Sequence, residues 1–309
     1  MIKLILLIVI IISININAKE PIIPIPMEIQ VDMPKARLGQ ILFSDSLLSK
    51  DNSTACVNCH DINVGGADKR VVSLGYAKKK GDIQSPTVFN SRYNFKQFWN
   101  GRANNLLEQA DGPINNPAEH NMDSKTVEKR INKSDKYKKK FKEVYGVSYI
   151  PYELVLDAIV EFENALTTPN AKFDKYLRNE IELSKDEKDG YKLFKQYGCV
   201  TCHNGINIGG NSFQKMGTFM EYKSAVKYPD RSKVTKDNSH KNVFKVPTLR
   251  NINLTAPYFH DGSAKTLKEA LTIMSRHNLG LKIDDKQVDK MVLFLKTLDG
   301  ERPKILDKR

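Results

Sequence analysis

Residues 56–60 read CVNCH and residues 199–203 read CVTCH. Two thiols three positions apart, with a histidine directly behind them, suit thioether bonds to the two vinyl groups of a haem while the imidazole takes the iron from one side. The pattern uses all four cysteines of the chain and puts His60 and His203 in the same place behind each pair. Two other uses of the thiols compete. A four-thiolate zinc site would have to join pairs that lie in opposite halves of the chain, whereas ribbon sites are far more compact. A disulfide or thioredoxin-like pair leaves the recurring histidine without a role. The sequence therefore predicts two c-type haems, attached through Cys56 and Cys59 and through Cys199 and Cys202, with His60 and His203 on the irons.

The surroundings of the two motifs repeat as well. Each is preceded by a glycine-led helical fragment, GQILF at 39–43 and GYKLF at 190–194, and followed by a double glycine, Gly65-Gly66 and Gly209-Gly210. Each half closes on an amphipathic stretch. One face of YELVLDAIVEFENALTTP carries Leu154, Ile159, Phe162 and Leu166, and one face of QVDKMVLFLKTLDG carries Val288, Met291, Leu295 and Leu298. This predicts a mainly α protein of two haem domains, residues 34–169 and 190–309, with few strands. A charged stretch at 170–189 reads as linker and helix entry, in which Ser184 and Glu187 form a capping box. Pro24, Pro26 and Pro34 predict an extended arm over 19–33.

Residues 1–18, MIKLILLIVIIISININA, have one cation, a short apolar run and a small-residue exit, the form of a cleaved secretory signal. The apolar run is too short to span a bilayer, which takes about 20 residues. The net charge is +13, spread among acids with no aromatic-interleaved basic stripe, which argues against nucleic acid and leaves two readings, solvated faces or steering of an acidic protein partner. Two haems in an exported chain mean electron traffic, and the sixth ligand of each iron separates electron transfer from substrate activation. For the second haem the candidate is Met274, in EALTIMSRHNLG, well beyond His203 in the same half; by spacing alone it is equally a core methionine.

The stretches QSPTVFN, QFWNGRA, LLEQADGPINNPAE, VPTLRN, LTAPYFHDGS and TIMSRHNLG, in this order between Pro34 and Pro303, resemble the bacterial di-haem cytochrome c peroxidases. The resemblance implies two class-I cytochrome c-like domains and reduction of hydrogen peroxide to water with electrons from a small periplasmic cytochrome c or copper protein. It implies that His203 and Met274 ligate the electron-accepting haem and that Trp99 lies between the haems. His60 would be proximal at the peroxidatic haem, with Gln109 and Glu119 above it. A calcium ion held by Gln84, Thr255 and Pro257 and a homodimer are implied in the same way. Splitting an O–O bond calls for a group that lifts a proton from one oxygen and returns it to the other, and a carboxylate beside an amide can do this.

The chain departs from that family at Gln84, where many members have Asn, at His120, where relatives commonly have Met, and at Tyr76. Many members carry a histidine where Tyr76 stands in SLGYAKKKGDIQSPTVFN, and no histidine lies between His60 and His120. Three readings stand open: Tyr76 is a loop residue beside an open haem, it ligates ferric iron as a phenolate, or another group such as His120 caps the iron. Two competing functions follow, a di-haem electron-transfer or accessory protein with little peroxidase activity, and a relative of the enzymes that oxidise tryptophans in a partner. Those enzymes use a tyrosine where Met274 stands here.

Overall fold

The computed structural model describes residues 20–224 and 228–307; the signal segment Met1–Ala18 lies outside the described residues. In chain order these form α1 (Met33–Phe43), α2 (Leu106–Asn115), α3 (Ser124–Lys133), α4 (Asp135–Tyr145), α5 (Tyr152–Ala165), α6 (Lys172–Leu177), α7 (Lys185–Gln196), β1 (Phe213–Lys215), α8 (Ser232–Thr235), β2 (Val243–Lys245), α9 (Leu267–Leu279) and α10 (Asp285–Lys296). The two short strands pair antiparallel, with Gln214 opposite Phe244.

Each half is built on a crossed pair of helices, α1 with α5 and α7 with α10. The crossing is set by the glycine of the repeated fragment. A Cβ on Gly39 would overlap the carbonyl oxygen of Ala158, and one on Gly190 would overlap that of Lys290. Behind each glycine an aromatic pair meets edge-on or tilted at a centroid separation of 5.2 Å, Phe43 with Phe162 and Phe194 with Phe294. All four rings are fully or almost fully buried. Side-chain caps start these helices: Asp32 accepts from the Lys35 amide at α1, and Ser184 with Glu187 forms the expected box at α7.

The likeness between halves continues beyond the crossing. Residues 86–93 (PTVFNSRY) and 247–254 (PTLRNINL) take the same course, with Asn90 and Asn251 both left-handed at φ 61° and 58°. Then QFWNGRA (97–103) and YFHDGSA (258–264) each close a small bridge, Gln97 with Ala103 and Tyr258 with Ala264. The halves face each other through these segments. The Gln84 amide donates to the His260 carbonyl at 2.9 Å and the Lys245 amide to the Trp99 carbonyl at 2.7 Å. Trp99 corresponds to His260 and Gln84 to Lys245, both pairs at one and the same offset along the chain, so the contact is a reciprocal exchange about a local two-fold.

Both ends of the chain cross over. The arm from Glu20 lies on the second half: Ile22 is buried in its core, the Ile23 amide donates to the Gly205 carbonyl and the Gly205 amide to that of Pro21. Arg250, fully buried, binds Asp174 at 2.6 Å and the Ile23 carbonyl at 2.9 Å. The tail returns the other way, with Ile305 and Leu306 in the core of the first half. Residues 170–189, expected as linker and helix entry, do enter α7 at Lys185, and the part before it is packed: Phe173 and Leu183 belong to the second core. The stretch becomes structure because its apolar residues find the face of α10, as Phe173 finds Phe294.

Candidate functional site

A cavity of about 650 Å³ runs between the halves and reaches both cysteine–histidine motifs. Cys59 and His60 line one end and Cys199, His203 and Met274 the other. No disulfide joins the four cysteines. Among the described residues no three His, Cys, Asp or Glu side chains gather as a bare-metal site. The histidines are set as ligands. His60 Nδ1 lies 3.1 Å from the Pro86 carbonyl and 3.3 Å from that of Gly66, and His203 Nδ1 lies 3.4 Å from that of Ile208. A carbonyl only accepts, so Nδ1 carries the proton and Nε2 keeps its lone pair for iron. Burial lowers the pKa of both rings, to about 4 for His203, and outweighs these carbonyls. Both imidazoles are thus neutral and competent to bind a metal.

The two ends differ in what stands opposite the histidine. Helices α2 and α9 start alike: Asn105 and Thr266 are the caps, and Glu108 and Glu269, three residues on, each take the main-chain amides before the helix. Laid over one another from these caps, Met274 falls on Pro113, and both line the cavity. The first end therefore has no thioether where the second has one. It has Gln109 and Glu119 instead, both on the cavity wall. Asn116 Nδ2 donates to Glu119 Oε1 at 2.6 Å and fixes the carboxyl. Burial raises the Glu119 pKa, opposed by that hydrogen bond and by the charge of Arg102.

Tyr76 sits in a single 3-10 turn, Tyr76–Lys78, and is not among the residues lining the cavity. Its ring lies between two ammonium groups, Lys50 Nζ at 5.9 Å and Lys79 Nζ at 5.5 Å from the centroid. Its backbone is what reaches the site: the Tyr76 amide donates to the Glu119 carbonyl at 2.6 Å, and Gly75 packs so closely that a Cβ would overlap the Ala118 carbonyl. His120, expected at a loop surface if not on the iron, is 4 % exposed. Its Nδ1 lies 3.2 Å from the Leu48 carbonyl and it too is absent from the cavity wall.

Trp99 lines the cavity between the two ends, its Nε1 donating to the Gln84 carbonyl at 2.8 Å. His260, which the sequence reading passed over, meets its edge at 6.2 Å and stacks on Phe244 at 4.3 Å. Laying QFWNGRA over YFHDGSA would have found it. Gln84, Thr255 and Pro257 also line this cavity. Arg102, Pro113 and Glu163 were passed over as well; each lies within or near a quoted motif but has no ligand-type spacing to mark it.

Residues 33–182 match the family described as di-haem cytochrome c peroxidase, and residues 187–299 match cytochrome c. The chain is 45% identical over 285 residues to a cytochrome c551 peroxidase of Nitrosomonas europaea, covering 92% of this chain and 85% of that one. It is 43% identical to the cytochrome c peroxidase Ccp of Escherichia coli, covering 91% of this chain and 61% of that longer one. Among solved structures, a MauG-like protein associated with microbial copper homeostasis superposes with a TM-score of 0.79 at 24% identity, over 94% of this chain and 96% of that one, and so shares the fold. With a thiol pair and a neutral histidine at each end of one cavity, and relatives alike over nearly all of its length, this chain belongs to the di-haem cytochrome c peroxidase family and carries two c-type haems.

Proposed function

We propose that the chain reduces hydrogen peroxide to water with two electrons from a small c-type cytochrome, and does so after export to the periplasm. The observation that carries this reading is that Pro113 stands at the first end of the cavity where Met274 stands at the second, with Gln109 and Glu119 on the same wall. Haem would supply the one-electron chemistry, held at the second end by His203 and Met274 and at the first by His60.

The protein's own part at the first end is proton handling. Glu119 takes a proton from the near oxygen of the peroxide and gives it to the far one, which leaves as water. Two protons from solvent and two electrons complete the second water. Burial holds the Glu119 pKa above the ordinary carboxylate range, nearer the operating pH at which a group can both accept and return a proton. Asn116 holds Oε1, leaving the other oxygen for the substrate. Gln109 orients the peroxide by hydrogen bonding, and the Arg102 charge favours the carboxylate before the proton is taken. Trp99, between the ends and hydrogen-bonded to Gln84, stands on the electron path.

With the Tyr76 ring held between Lys50 and Lys79, the reading we favour is a loop residue beside an open first haem, so that turnover needs no prior reduction. The loop's role is to brace Glu119 through the Tyr76 amide. A calcium ion at Gln84, Thr255 and Pro257 is supported by their shared cavity wall and by the tolerance of calcium for neutral oxygens. Export rests on the form of residues 1–18, and the homodimer on kinship.

Peroxide turnover with a reduced small cytochrome c, run in parallel on oxidised and pre-reduced enzyme, tests the assignment. Equal turnover from both supports an open site. Absence of turnover from both, with a donor that serves a known peroxidase, favours the electron-transfer alternative.

A further inference from the structure

One buried carboxyl takes no part in the peroxide chemistry. Glu163, on α5, is 3 % exposed and lines the cavity, and its Oε2 is buried with no hydrogen-bond partner among the described residues. Carboxylates are almost never left in this condition, because an uncompensated buried charge is costly; the group stays protonated instead. Burial pushes its pKa to about 8. The Cys56 thiol is pushed up first by its own burial and next by the charge of a Glu163 carboxylate, and Glu163 shares the cavity wall with Cys59 and His60.

The internal repeat shows that packing does not demand a carboxyl here. Gly39 meets Ala158 and Phe162 as Gly190 meets Lys290 and Phe294, so the residue after each phenylalanine corresponds, Glu163 to Leu295. Leu295 also lines the cavity and is 3 % exposed. The same wall is apolar at the haem that receives electrons and ionisable at the other.

We propose that Glu163 is the proton partner of the first haem's redox change. When an electron arrives at the first iron, one proton from solvent binds the Glu163 carboxylate; when the electron leaves, that proton is released. The ferric site is more positive by one charge and favours the carboxylate, whereas the ferrous site favours the neutral acid, so charge in a poorly solvated pocket changes little overall. On the elements packed against α5, Lys35 is engaged with Asp157, Arg37 with the Ile305 carbonyl, Arg92 with that of Asn164, Glu108 with Asn104, Asp111 with Tyr152, Glu128 with Tyr149, and Arg130 with carbonyls at 47–50, while Lys125, Lys129 and Lys133 are exposed to solvent. Across the cavity stand Glu119, Arg102 and His60, none of them hydrogen-bonded to Glu163. Glu163 acts through the haem rather than on the peroxide, and is a positioning residue for charge.

This inference rests on the haem assignment and not on peroxide turnover. The test is spectroelectrochemical titration of both haems in the haem-loaded protein from pH 5 to 9, for the natural protein, Glu163→Gln and Glu163→Asp. In the natural protein the first haem's potential should fall as pH rises, while the second haem's stays flatter. Glu163→Gln should lose the fall without a change in the second haem, and Glu163→Asp should restore it. An unchanged pH profile in Glu163→Gln overturns the proposal. If that variant fails to load haem, redox-difference infrared spectra of the natural protein decide: reduction of the first haem should bring up a protonated-carboxyl band that shifts in heavy water, and its absence overturns the proposal.

Discussion

Glu119 and Glu163 are both carboxyls on one cavity wall with pKa values raised by burial, yet their surroundings give them different work. Glu119 has Asn116 to fix it and Arg102 to oppose the burial, so it can be ionised when peroxide arrives. Replacing it with Gln keeps the shape and removes the proton acceptor. Turnover of Glu119→Gln should drop about 10² to 10⁴-fold, the usual share of general acid–base catalysis, with both haem spectra retained; full activity would take Glu119 out of the mechanism. Glu163 has no such support, and this leaves a signature in stability. Unfolded, it ionises around 4.5; folded, it holds its proton up to about 8. Between these values the folded protein binds more protons than the unfolded one, so stability falls as pH rises through that window and is unaffected below it. With the first haem reduced, so that the neutral acid is favoured, thermal unfolding of Glu163→Gln should match the natural protein near pH 4.5 and exceed it increasingly toward pH 8. A constant difference across that range would mean the carboxyl is not buried as described.

At the scale of elements, the crossed pairs α1–α5 and α7–α10 place the histidine motifs, and each crossing depends on a glycine that lets two backbones touch. Gly39→Ala and Gly190→Ala should each destabilise by about 1–3 kcal/mol, as overpacking does, and each should loosen the haem of its own half first. Chemical unfolding followed at the two haem absorptions separates them; equal loss at both haems would show that the crossings do not act locally. These helices were legible in the sequence because apolar period and caps agree, as Ser184 with Glu187 and the Leu154–Leu166 face illustrate. The two haem sites were legible because Cys56–His60 and Cys199–His203 are covalent patterns that survive any change around them. The relation between halves was harder to see. The intervals from Cys56 to Cys199, from Gly39 to Gly190, from Trp99 to His260 and from Phe162 to Phe294 all differ in length. Insertions between elements shift the register each time, so no single offset aligns the chain with itself. Pro113 against Met274 and Glu163 against Leu295 become visible only when helices are matched by their caps and contacts. Tyr76 stayed open between readings for a related reason: its neighbours in sequence point to the haem, while Lys50, which lies over its ring, is brought near only by folding.

The molecule as a whole is two similar halves tied by an exchange of ends. The arm inserts Ile22 into the second core, the tail inserts Ile305 and Leu306 into the first, and the halves meet through the reciprocal amides of Gln84 and Lys245. Such cross-bracing keeps Trp99 in its place on the cavity between the halves, because neither half can rotate against the other without releasing an end of the chain. It also makes unfolding a joint event: the first half cannot lose its core without releasing the tail, and the tail begins directly after α10 and Gly300 of the second. Calorimetry of the haem-loaded protein should therefore give one cooperative transition. The double change Ile305→Ala and Leu306→Ala removes two buried anchors, each worth about 2–5 kcal/mol at fully buried sites. It leaves both haem motifs and the inter-half amides intact. The first half should then melt earlier, splitting the transition in two, with the haem bound by Cys56 and Cys59 lost from its folded spectrum before the other. Deleting the arm through Ile25 should reverse the order, since Arg250 would lose the Ile23 carbonyl and the second core would lose Ile22. If both variants still melt in one step, the halves are held together by the central contact alone and the exchanged ends are ornament.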